Sequence, residues 1–157
     1  GVPAIKPGKM KLKNYVRLEF WSLPENVAWA RTCAAALVAQ LDCTLEELEE
    51  VKLVVSEAVT NCIIHGYENQ RDGRIVVELA LYEERVLEVA VIDYGRGIED
   101  LEKAMQAGYS SDPERTGMGF VFMRSFTDHL EVDSAPGKGT KVKMVRDFGQ
   151  RDRQALA

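Results

Sequence analysis

From Tyr15 to Trp21 apolar and polar positions alternate, with Val16, Leu18 and Phe20 on one side and Tyr15, Arg17 and Glu19 on the other. A period of two predicts a half-buried strand. Ser22-Leu-Pro24-Glu25 then supplies a helix start, with proline tolerated in the first turn. The spacing of Val27, Ala30, Ala34 and Leu37 carries that helix to about Gln40 and leaves Arg31 on a more polar flank. Thr44-Leu-Glu-Glu47 has capping-box spacing and opens a second, longer helix. On it Glu57, Asn61 and His65 recur every four residues and share one face. Val54, Val55, Ala58, Val59, Cys62 and Ile63 make the rest of that surface apolar. A carboxylate and a carboxamide one turn apart in such company are costly to bury without partners, so the row is predicted to line a cleft.

Two runs rich in Val, Ile and Leu, Arg74 to Tyr82 and Val86 to Asp93, are separated by Glu83-Glu84-Arg85 and predict an antiparallel hairpin. Tyr94 to Gly117 has no strand pattern. Ile98 to Gln106 predicts a short helix, and the remainder reads as a long loop of the kind that covers sites as a lid. Gly119 to Phe126 predicts an apolar helix, and Leu130 to Ser134 with Lys141 to Val145 a last hairpin around Pro136-Gly-Lys-Gly139. This order predicts an α/β (α+β) two-layer sandwich, with helices on one face of a mostly antiparallel mixed sheet. One domain is expected over residues 11–148, after a flexible N-terminal extension or added remnant (1–10) and before a polar tail (149–157).

Composition narrows the class. The 157 residues suffice for one domain, and 46% hydrophobic with 29% charged residues is ordinary for a globular protein. Twenty basic against twenty-five acidic residues give a net charge of −5, which leaves no nucleic-acid footprint. No apolar run is long enough to span a bilayer and no secretory signal opens the chain, so a cytoplasmic protein without membrane contact is expected. Cys33, Cys43 and Cys62 show no Cys-x-x-Cys pairing and are read as core thiols, not a disulfide framework or zinc site.

Asp93-Tyr-Gly95-Arg-Gly97 follows the buried-looking run Val89 to Ile92. A carboxylate at a strand end can accept from an exocyclic amine, and glycines let backbone pass close to a flat ligand; the same residues also make an ordinary turn. Gly117-Met118-Gly119 opens a helix whose free N–H groups suit phosphates, or is a flexible joint. Thr140, after Gly139, offers a hydroxyl to a ligand or to a turn. Pro136-Gly-Lys-Gly-Thr140 is not a Walker loop, because Val132 holds the upstream glycine position. Neither Gly95 nor Gly117 opens a full G-x-G-x-x-G, since Asp100 and Phe122 hold the third positions.

Taken in order, Glu-x-x-x-Asn on a helix, Asp-x-Gly-x-Gly after a strand, a lid, Gly-x-Gly opening a helix and a late Gly-Thr resemble the GHKL class of ATP-binding proteins (gyrase, Hsp90, histidine kinase and MutL relatives). Val54 to Tyr67 and Thr116-Gly-Met-Gly-Phe120 resemble the bacterial anti-sigma serine kinases. With Arg17-Leu-Glu-Phe20, Asn26 to Arg31 and Gln40-Leu-Asp42 they are similar to the anti-sigma F factors, over about Lys11 to Phe148.

The resemblance implies a GHKL (Bergerat) ATP-binding fold and a serine kinase that uses Mg-ATP. Asn61 would hold Mg²⁺ and Glu57 would be the general base toward a substrate serine. Asp93 would take the adenine amino group, with Gly95, Gly97 and Thr140 beside the base. Gly117, Met118 and Gly119 would wrap the phosphates, and Arg115 would pair with the γ-phosphate. Arg31 would lie on a partner-binding face. The chain would bind and inhibit a sporulation sigma factor of the sigma F type and phosphorylate its anti-anti-sigma antagonist on serine. It would act as a homodimer, with Phe20, Trp21 and Trp29 forming either the interface or core. The lid departs from the family pattern, with Asp112 where a basic residue is usual. Two alternatives stand beside this: a non-catalytic, nucleotide-dependent binding scaffold, and the ATP-binding domain of a histidine kinase. Against the second, no histidine precedes the long helix.

Overall fold

The computed structural model describes residues 10–106, 119–150, 152 and 155. The alternating segment lies within β1 (Leu12–Trp21), which starts earlier than the alternation suggests; a register shift between Leu12 and Asn14 absorbs the break in pattern. A 3-10 turn, Pro24–Asn26, leads into α1 (Val27–Val38). α2 (Leu45–Asn61) opens on the expected capping box: the Glu47 N–H donates to Thr44 Oγ1 at 3.0 Å, and the Thr44 N–H to Glu47 Oε1 at 2.8 Å. β2 (Arg74–Tyr82) and β3 (Val86–Asp93) form the expected hairpin. In its turn Glu84 (φ 63°) and Arg85 (φ 61°) are left-handed, and the Phe148 N–H donates to the Arg85 carbonyl at 3.0 Å. The helix expected over Ile98 to Gln106 contracts to α3 (Leu101–Ala104), capped where Asp100 Oδ1 accepts from the Lys103 N–H. α4 (Phe120–Ser125), β4 (His129–Ser134) and β5 (Thr140–Asp147) complete the described elements.

The five strands lie in the order β1-β2-β3-β5-β4. Every pairing is antiparallel, so the sheet has no mixed component among the described strands. One inward row runs across all five strands through Leu18, Val77, Val91, Val142 and Val132. Ala30 and Ala34 of α1 and Val55, Ala58 and Val59 of α2 belong to the same core and are fully buried. The small α1 side chains let that helix approach closely, and each buried valine stabilises the fold by about 1.5–3 kcal/mol relative to an exposed one. On the opposite sheet face Arg74 pairs with Glu19 at 2.9 Å and Lys143 with Glu88 at 3.8 Å. Partly exposed pairs of this kind contribute little.

The aromatic region expected to be interface or core divides. Phe20 packs against the core, whereas Trp21 and Trp29 are 62% and 70% exposed. All three cysteines are free thiols; Cys62 is buried and the other two are half-buried. No helix among the described residues is long and apolar enough to cross a membrane. The segments expected as extension (1–10) and tail (149–157) lie mostly outside the described residues.

Candidate functional site

α2 carries Glu57 and Asn61 in its last two turns, and there the helix changes pitch. Cys62–Gly66 is a π turn, closed by the Tyr67 N–H donating to the Cys62 carbonyl at 2.9 Å. A π turn accommodates one residue more than an α turn. Cys62 stays in the core, as helical spacing assigns it, and with Asn61, His65 and Gly66 also forms the wall of a cleft.

The floor of that cleft is the seam between β3 and β5, where Asp93 and Thr140 are register partners. Asp93 is 4% exposed. Its Oδ1 accepts from the Gly95 N–H at 2.9 Å, and the carboxylate also accepts from the Cys62 thiol and the Thr140 N–H. Burial pushes this carboxyl above the usual carboxylate value, and the three donors pull it back. A carboxylate offers about four lone-pair sites, so acceptor capacity remains toward the cleft. The Cys62 thiol has one proton, which it shares between Asp93 and the Ala58 carbonyl 3.3 Å from its Sγ. Burial first, then the Asp93 charge, push that thiol well above its usual range, which keeps it protonated and a donor.

The loop after β3 rests directly on the π turn. The Arg96 N–H donates to the Gly66 carbonyl at 3.0 Å, and Arg96 Nε to the His65 carbonyl at 2.9 Å. A side chain on Gly95 would overlap the Gly66 carbonyl, and a Cβ on Gly66 would stand 2.8 Å from Asp93 Oδ2. Glycine at both positions is what lets the two backbones meet above the carboxylate. Ala58, Val91, Ile98, Phe120 and Val142 supply the apolar walls of a cleft with about 330 Å³ of open space. An apolar slot with a buried acceptor at its floor suits a flat ring bearing an amino group.

Glu57 stands half-buried on α2, one turn before Asn61, and burial raises its carboxyl above the usual value. Gly119 caps α4 in the left-handed region (φ 65°), so near that a side chain there would overlap Glu57 Oε1. The described residues contain no group of three His, Cys, Asp or Glu able to hold a metal ion. Magnesium takes few protein ligands and completes its octahedron with water and phosphate oxygens. A single carboxamide oxygen on Asn61, beside a phosphate-bearing ligand, fits that requirement.

Asn61, Asp93, Gly97 and Thr140 thus come together around the cleft. Gly95 seats the loop, and Glu57 meets Gly119. Arg31 is half-exposed on α1 and does not line the cleft. Arg115, Gly117, Met118 and the lid residues Tyr109 to Glu114 lie outside the described residues. Sequence reasoning missed Cys62 and Ser134. For Ser134 a signal existed, because it continues the inward row of Leu130 and Val132 with a hydroxyl.

Residues 20–146 match the family model described as histidine kinase-like ATPase domain. The anti-sigma F factor of Clostridium beijerinckii is 52% identical over 137 residues, covering 86% of this chain and 95% of that protein. That of Bacillus velezensis is 45% identical over 141 residues, covering 88% and 96%. The chain belongs to the anti-sigma F factor family. The anti-sigma F fold extends to more distant proteins. A solved structure of the RsbU and RsbW domains of a Mycobacterium tuberculosis protein superposes with a TM-score of 0.61 at 18% identity, covering 85% of this chain and 32% of that one. The histidine kinase domain of an Erythrobacter litoralis blue-light activated histidine kinase gives 0.56 at 19% identity, covering 83% and 63%.

Proposed function

We propose that the chain is a cytoplasmic anti-sigma factor and protein serine kinase. It holds a sporulation sigma factor of the sigma F type inactive, and it phosphorylates the anti-anti-sigma antagonist on serine with Mg-ATP. The observation that carries the kinase reading is the order along α2: a half-buried carboxylate, Glu57, one turn before Asn61, which lines a cleft floored by buried Asp93. Asp93 and Thr140 receive the adenine, and the apolar walls exclude water from it. Asn61 would hold Mg²⁺, which would supply charge neutralisation to the phosphates. Glu57 accepts the proton of the substrate serine hydroxyl. The serine oxygen then bonds to the γ-phosphorus as the bond to the ADP oxygen breaks. The raised Glu57 carboxyl favours this role, since a base works best when its pKa approaches the working pH. The family resemblance assigns the phosphate contacts to Arg115, Gly117, Met118 and Gly119, of which Gly119 alone lies among the described residues. Arg31 serves the protein partners, and exposed Trp21 and Trp29 serve a homodimer interface.

The test is transfer of label from γ-labelled Mg-ATP to a purified anti-anti-sigma protein, with complex mass read by light scattering. Wild type should give acid-stable serine label, and Glu57→Gln should lower the rate at least about a hundredfold. Label surviving in the variant would place the base elsewhere. ATP binding without transfer would favour a nucleotide-dependent scaffold.

A further inference from the structure

The cleft floor is completed by a hydroxyl that contacts no ligand itself. Ser134, the last residue of β4, sits opposite Thr140 in the β4–β5 register. Its Oγ accepts from the Ile98 N–H at 2.9 Å, lies 2.8 Å from the Gly139 carbonyl, and lies 2.8 Å from Thr140 Oγ1. A serine hydroxyl has one proton, and a carbonyl can only accept, so the Ser134 proton goes to Gly139. The remaining contact then has one solution: Thr140 donates its own proton to Ser134. Thr140 is left with lone pairs alone facing the cleft that it shares with Asp93.

We propose that Ser134 is a specificity-determining positioning residue, which fixes the Thr140 hydroxyl as an acceptor and so selects a purine with an exocyclic amine over a 6-oxo purine. The inference rests on the nucleotide reading above and concerns how the base is chosen. With Asp93 and Thr140 both accepting, an amino group can donate one hydrogen to each. A 6-oxo group would meet two acceptors and no donor, an arrangement that leaves buried polar atoms unpaired. Removing the Ser134 hydroxyl frees the Thr140 proton to rotate into the cleft, where it can serve an oxo group.

The experiment is calorimetric titration of the full chain with Mg-ATP and with Mg-ITP, in which a 6-oxo group replaces the amine and N1 carries a proton. Wild type should prefer ATP, and Ser134→Ala should reduce the ATP-to-ITP affinity ratio at least about tenfold. Ser134→Thr, which keeps a hydroxyl, should retain the wild-type ratio. Thr140→Val should itself reduce the ratio, and adding Ser134→Ala to it should change the ratio no further. Should Ser134→Ala fail to fold, the Thr140→Val and Ser134→Thr ratios decide alone. General loosening of the site would weaken both nucleotides equally. An unchanged ratio in Ser134→Ala or in Thr140→Val would therefore overturn the inference, as would a lost ratio in Ser134→Thr. A wild-type chain that bound neither nucleotide would overturn the nucleotide reading and this inference with it.

Discussion

Burial at Glu57 has an effect that can be read without any substrate. Its carboxyl is raised above the usual 4.5 by desolvation. The folded chain therefore binds a proton at Glu57 more tightly than the unfolded chain does. Linkage then requires stability to fall as pH rises from 4.5 through the folded value, with the penalty fully present above it. Glu57→Gln lacks that penalty, so its Tm at pH 7 should exceed that of wild type and converge with it below the ordinary carboxylate value. A Tm that fell at neutral pH would mean that the carboxylate is stabilised by a partner. Glu57, Asn61 and Asp93 were legible in the sequence because polar groups in apolar runs stand out. For Ser134 the place in the inward row was a signal but its role was not, because serine at a strand end is ordinary and its partners come from Ile98 and Gly139, whose proximity only the fold creates.

At the scale of elements, local chemistry was readable where a rule acts over a few residues. The capping box of α2 and the β2–β3 hairpin fall where spacing and turn composition put them. Thr44 is exposed and its role is confined to its cap, so Thr44→Ala should cost about 1 kcal/mol in urea unfolding without changing the m-value. An effect near zero would show that water replaces the cap. The π turn at Cys62–Gly66 was not legible. A wheel drawn at 3.6 residues per turn passes through it unchanged, and nothing in Cys-Ile-Ile-His-Gly announces a wider pitch. What favours it is tertiary: the β3 loop hydrogen-bonds to the carbonyls of His65 and Gly66. The extents of β1 and α3 also depended on neighbours, on the β2 register for one and the Asp100 cap for the other.

For the molecule as a whole, the two-layer plan followed from element order, whereas the strand order did not. β5 enters between β3 and β4, and no local pattern distinguishes that from a simple meander. This insertion has a kinetic consequence. Asp93 and Thr140 meet across a seam whose two strands are separated in the chain by α3, α4, β4 and the residues that connect them. Closing so long a loop is slow, and contacts at its far end form late. The cleft at that seam is then absent from the folding transition state, and a nucleotide bound there can stabilise only what comes after it. Stopped-flow measurements should show ATP slowing unfolding while leaving the refolding rate unchanged. A refolding rate that rose with ATP would place the seam in the nucleus. A growing chain on the ribosome could likewise bind no nucleotide until β5 had emerged, so ligand binding would report completed synthesis of the domain.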